Sequence, residues 1–222
     1  MGGVTPYGLC RGASNAAFCF VLFLLLCALP AQAREIRLLM LGDSITAGYG
    51  LPRPEALPVR LEAALRAAGR DVRVIDAGVS GDTTAGGRAR LDWALAERPD
   101  AVIVALGGND GLRGIDPRQS RDNLAGILDR LAQRGMPVLL AGMLAPPNLG
   151  AEFGREFAGV FEGLARERPA VVFYQFLLEG VAGEAALNQP DRIHPNVHGV
   201  DEMVRRMLPS ILSLLSRVPA PR

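Results

Sequence analysis

The sequence predicts an α/β fold, with one parallel sheet of five strands and helices packed on both of its faces. Three observations carry this. Short apolar runs alternate with longer stretches of helical periodicity, the pattern of repeated strand–helix–strand units. The runs Leu38–Leu41 and Ala101–Leu106 are continuous rather than alternating, as strands covered on both faces require. Glycine and small polar residues cluster just after the runs, at Gly42-Asp43-Ser44, Gly78-Val79-Ser80-Gly81 and Gly107-Gly108-Asn109. In such sheets ligands bind outside the carboxyl ends of the strands.

The elements follow in order. Ile36 to Leu41 is the first strand, and a helix opens at Ser44. Pro58 to Ala68 is a helix with Val59, Leu61 and Leu65 on one face, and Gly69 ends it. Val72 to Ile75 is the second strand, Thr83 to Glu97 a helix, and Ala101 to Leu106 the third strand. Pro117 to Arg134 has proline in its first turn and Gly135 just past its end, the usual asymmetry of a helix. Val138 to Ala141 is the fourth strand, Glu152 to Arg168 a helix, Val171 to Phe173 the fifth strand, and Val197 to Leu215 the closing helix. No linker or repeat divides this stretch, so residues 34–222 read as one domain.

Residues 1–33 have a different character. A single Arg11 precedes the apolar run Phe18 to Leu29, and Pro30-Ala31-Gln32-Ala33 supplies a small-x-small ending. The run is too short to span a bilayer, so this is a cleaved secretory leader and the mature protein is periplasmic or secreted. Lipidation at Cys27 is disfavoured by the bulky Leu26 before it. Cys10, Cys19 and Cys27, the three cysteines of the chain, all lie in the leader. The remainder therefore has no disulfide, no thiolate metal site and no cysteine nucleophile.

The chain has 24 arginines and no lysine, which excludes a Walker phosphate loop and Schiff-base chemistry. Without Arg11, 23 basic residues face 23 acidic ones. That balance argues against electrostatic capture of nucleic acid. No G-x-G-x-x-G follows the first strand, so no dinucleotide cofactor is implied. His194 and His198 have zinc-ligand spacing, but Pro195 and Asn196 interrupt a helix there and no H-E-x-x-H glutamate is present. The expectation is no metal and no cofactor.

What remains is nucleophilic chemistry. Ser44 is lifted off the end of a buried strand, where a base and an oxyanion site can reach it. Ser80 is a weaker candidate, because Gly78-Val79-Ser80-Gly81-Asp82 misses the last glycine of a G-x-S-x-G elbow. Histidine is the usual base for such a serine, its pKa lying near 6.5. His194 has Asp191 three residues before it, a spacing that brings a carboxylate to Nδ1 on a tight turn and leaves Nε2 for the serine. His198 has no such acid and reads as a helix-start residue, with Asp201 an ordinary i,i+3 neighbour. Donors for a tetrahedral oxyanion are the Ser44 N–H, the Gly81 N–H and the Asn109 side chain, each just past a strand. Asp43 and Asp110 suit the orientation of loops through backbone N–H groups. Singly, each glycine is ordinary turn punctuation; together, at strand ends, they mark a site.

Gly42-Asp43-Ser44, Gly81, Gly108-Asn109-Asp110 and Asp191-Arg192-Ile193-His194 resemble, in order, the four sequence blocks of the SGNH (GDSL) hydrolases. Ser80 to Gly87, Leu106 to Gly114 and Pro146 to Gly150 are similar to segments of the bacterial thioesterase I/lysophospholipase L1/arylesterase branch. The resemblance implies a three-layer α/β/α flavodoxin-like sandwich. It also implies Ser44 as nucleophile, His194 as base, Asp191 as its orienting acid, and an oxyanion hole of Ser44, Gly81 and Asn109. The expected activity is hydrolysis of small acyl esters or thioesters, including aryl esters and lysophospholipids, through an acyl-enzyme. Leu112, Leu144 and Leu149 are the expected lining of a groove for short to medium acyl chains. Sugar deacetylation on the same scaffold, and a non-catalytic binding protein of this fold, are the alternatives.

Overall fold

The computed structural model describes residues 1–3 and 34–219; the apolar run, the cleavage-type ending and the cysteines of the leader lie outside the described residues. From Arg34 onward the chain forms one compact unit. Five strands, β1 (Ile36–Gly42), β2 (Val72–Gly78), β3 (Ala101–Ala105), β4 (Val138–Ala141) and β5 (Val172–Tyr174), form one sheet in the order β2-β1-β3-β4-β5. Every pairing is parallel. This is the flavodoxin-like strand order, and its β1/β3 junction is where the winding direction switches.

Eight α-helices cover the described sheet: α1 (Ser44–Ala47), α2 (Leu57–Ala67), α3 (Thr84–Ala89), α4 (Leu91–Ala94), α5 (Gly108–Leu112), α6 (Pro117–Gln133), α7 (Ala151–Glu167) and α8 (Val197–Leu215). Helices α2 and α8 pack together on one face, and α3, α6 and α7 form the other layer. Leu38–Leu41 and Ala101–Leu106 are fully buried between the layers. Phe157 and Phe161 of α7 are buried against the sheet, their rings edge-on with centroids 5.6 Å apart. Each such ring contributes roughly 1.5–3 kcal/mol by burial alone.

Four expectations need correction. Val59 is not on the buried face of α2; it is 43% exposed, and the covered residues are Leu57, Pro58, Leu61 and Leu65. Two residues turn a helix by about 200°, so Val59 and Leu61 cannot share a face. The single helix expected over 83–97 is instead α3, α4 and a 3-10 turn, Leu95–Glu97. Its first segment carries Gly86 and Gly87, poor helix formers, and the chain leaves helical geometry at Arg90 (φ −99°, ψ 4°). Strand β2 runs to Gly78 rather than Ile75, because Asp76, Ala77 and Gly78 stay paired with Met40, Leu41 and Gly42. The short α5 is an addition to the expected elements; its glycines disguise it in the sequence.

The register matters for function. Gly42 lies level with Gly78 on one side and Ala105 on the other. Three connections therefore leave the sheet at the same height: Asp43-Ser44, the 79–83 turn, and Leu106 into α5.

Candidate active site

Asp43 caps α1, accepting the Ile45 N–H at 3.0 Å, so Ser44 is the first helical residue. The Ser44 N–H has no acceptor within the helix from that position. Gly81 lies in the 79–83 turn after the neighbouring strand β2, with φ +82°, a left-handed backbone that suits glycine. Its carbonyl accepts from Arg113 Nη2 at 2.9 Å. The Asn109 amide, on α5, donates to the Asp82 carbonyl at 2.9 Å, which fixes the amide plane, and its Nδ2 also makes a long contact of 3.5 Å to Asp43 Oδ2. Asp110, fully buried behind it, accepts from the Thr84 N–H at 2.9 Å and from the Ser120 hydroxyl at 3.0 Å. It ties α3 and α6 to α5, the loop-orienting part expected of it.

The other half of the site comes from the long segment between β5 and α8. His194 Nε2 is 2.9 Å from Ser44 Oγ, and His194 Nδ1 is 2.7 Å from Asp191 Oδ2. With Nδ1–H donating to the carboxylate, Nε2 presents its lone pair to the serine hydroxyl. The other Asp191 oxygen accepts the Ile193 and His194 N–H groups, each at 3.0 Å. Those backbone bonds, the His194 N–H first, hold the Asp191 carboxyl down at about 2, so it is ionised at any working pH. Burial pushes the Asp43 carboxyl the other way, to about 6, against the pull of the Ile45 N–H and of nearby His194.

Ser44, His194 and Asp191, far apart in sequence, thus meet at the carboxyl end of the sheet with Gly81 and Asn109 on the adjoining turns. Ser80 and His198 are exposed and have no part in this arrangement. Asp201 bonds Arg60 of α2 at 2.8 Å rather than serving His198. A cleft of about 530 Å³ opens beside Ser44 and Asn109. Leu112 and Leu144 line it as expected, but Leu149 is not among the lining residues. Leu149 lies on the Pro147–Leu149 turn and packs toward Gly114. Met143, Phe176, Leu178 and Ile193 line the cleft in its place.

Sequence reasoning missed the parts that hold His194. Tyr49 packs its ring against His194, centroids 4.5 Å apart. The Gln189 amide donates to Tyr49 O at 2.7 Å and to Pro195 O at 3.0 Å. Asn188 and Asn196 bind surrounding carbonyls at Val181, Glu184 and Ala186. The sequence signal for them is the concentration of amide side chains around the histidine.

A doubly wound sheet with a Ser–His–Asp relay at its switch point defines a serine hydrolase. The chain belongs to the GDSL-like Lipase/Acylhydrolase family, whose pattern matches residues 40–201. It is 41% identical to Esterase TesA of Pseudomonas aeruginosa over 194 residues, covering 86% of this chain and 96% of that one. It is 37% identical to the Thioesterase 1/protease 1/lysophospholipase L1 of Escherichia coli K12, covering 79% and 82%. Among solved structures it matches AlinE4, an SGNH-hydrolase family esterase, with a TM-score of 0.69 and 45% identity, covering 86% and 100%.

Proposed function

We propose that this chain hydrolyses acyl esters and thioesters through a covalent acyl-enzyme on Ser44. The observation that carries the reading is the continuous relay from Ser44 Oγ to His194 Nε2 (2.9 Å) and from His194 Nδ1 to Asp191 Oδ2 (2.7 Å). His194 takes the hydroxyl proton as Ser44 attacks the carbonyl carbon. The tetrahedral oxyanion is met by the Ser44 and Gly81 N–H groups and the Asn109 amide. Collapse expels the alcohol or thiol, which leaves with the proton from His194. Water, deprotonated by the same imidazole, then releases the acid and restores Ser44. Asp191 holds the ring in one tautomer and stabilises the imidazolium.

The apolar lining of the cleft supports short to medium acyl chains, aryl esters and lysophospholipids as substrates, and weighs against a sugar acetate. The relatives' names, esterase and thioesterase, point the same way. The leader composition of residues 1–33 supports export to the periplasm or beyond, with residues 34–222 as the working domain. Among the described residues no helix is long and apolar enough to cross a membrane.

The test is Ser44→Ala on p-nitrophenyl esters of increasing chain length, with fluorophosphonate labelling of the wild type. Expected are background turnover in the variant, a stoichiometric adduct on Ser44, and rates that rise and fall with chain length. Wild-type turnover by Ser44→Ala would end the mechanism, and a flat length profile would end the acyl-cleft assignment.

A further inference from the structure

The oxyanion donors stand on three separate connections, and something must hold those connections in register. Arg90 and Asp82 sit between them. Arg90 Nε donates to Asp82 Oδ2 at 2.7 Å, with both side chains mostly covered. Arg90 Nη2 donates to the Gly42 carbonyl at 2.9 Å. Gly42 immediately precedes Asp43-Ser44, and its carbonyl also takes the Val79 N–H at 3.1 Å, where the 79–83 turn begins. Asp82 follows Gly81 directly, and its own carbonyl is the acceptor for Asn109 Nδ2 at 2.9 Å. One ion pair thus includes the residue that holds Asn109 and directly adjoins Gly81. It is also bonded to the strand end that carries the Ser44 donor.

The surroundings are built for this pair. Gly86 leaves room for the Asp82 carboxylate, since a Cβ there would collide with Asp82 Oδ1. Arg90 occupies the break between α3 and α4. An arginine fork reaches a carboxylate and a carbonyl at once, which a lysine ammonium on one stem does not reproduce. We propose that Asp82 and Arg90 are positioning residues for the oxyanion hole, setting the spacing of its three donors without touching substrate. This rests on the esterase reading above.

Removing a whole donor costs about 10²–10³ in kcat, so loosening the frame should cost less. Asp82→Asn, which keeps the side chain's shape, is expected to lower kcat on a p-nitrophenyl ester about tenfold with KM within about twofold, and Arg90→Met about thirtyfold. Arg90→Lys should recover little. The deciding readout is the same substitutions made on an Asn109→Ala background. If the pair acts through the hole, its loss there costs several-fold less than in the wild type, because effects of residues acting as a unit do not add. Circular dichroism and the melting temperature identify any variant that has lost its fold, and the near-isosteric Asp82→Asn then decides the matter. Wild-type kcat in Asp82→Asn and Arg90→Lys, or an equal loss in both backgrounds, overturns the proposal. Should Ser44→Ala itself stay active, the esterase reading fails instead, so the two failures are distinguishable.

Discussion

The two halves of the active site are built in opposite ways. Ser44, Gly81 and Asn109 stand on the connections that leave β1, β2 and β3 at one height, each connection anchored by buried or half-buried polar groups such as Asp43, Asp82 and Asp110. Asp191 and His194 stand on the long segment after β5, which between Tyr174 and Val197 contains only a 3-10 turn and one isolated bridge, Asn188–Pro195. The first half takes its geometry from the sheet register. The second takes it from side-chain amides that stitch a loop to itself and to Tyr49. On the proposed mechanism, the oxyanion donors are thus placed by the sheet and the base by a locally organised loop.

The comparison can be broken most severely at the base. His194→Ala should lower turnover on simple esters by at least about 10⁴, as loss of a triad member does in serine hydrolases generally; residual activity within tenfold of wild type would remove His194 from the reaction. Next comes the donor side: Asn109→Ala should cost about 10²–10³ in kcat with a small change in KM, measured by steady-state kinetics. A change confined to KM would instead make Asn109 a ground-state binding residue.

Gln189→Ala tests the stitching itself. It removes bonds to Tyr49 O and Pro195 O and should lower kcat about tenfold while raising amide exchange across 186–196, with the sheet amides unchanged. Unaltered exchange there would mean that the loop is held by its other amides. The last effect is on stability rather than turnover and concerns Asp43. Its folded carboxyl titrates near 6 against an ordinary 3.8, so between those values the folded chain keeps a proton that the unfolded chain has released. The stabilisation from this group is complete below about 3.8 and is lost as pH rises through 6, a difference of about 3 kcal/mol. Asp43→Asn keeps the cap but not the charge. Its melting temperature relative to wild type should thus be several degrees more favourable at pH 8 than at pH 4, and an offset independent of pH would contradict the burial argument.

Much of this is legible in the sequence, for identifiable reasons. Each of Ser44, Gly81 and Asn109 lies shortly after a strand-like run, so local pattern and the rule about strand ends locate them. Asp191 and His194 share one tight turn, and spacing alone suggests their pairing. The illegible parts depend on long-range contact. Arg90 and Gly42 are 48 residues apart, and no periodicity links them. Phe176 and Leu178 line the cleft from an irregular stretch whose path is set by tertiary bonds, so the sequence points to Leu149 in their stead. Val59 misleads for a simpler reason: three apolar residues in one helix need the correct angular spacing, not mere proximity.

The isolated bridge between Asn188 and Pro195 has a practical corollary. A segment secured by so few ladder bonds opens at a lower free energy than the five-stranded platform beside it. Warming should accordingly silence turnover several degrees before the far-ultraviolet signal collapses, and cooling across that interval should restore it in full.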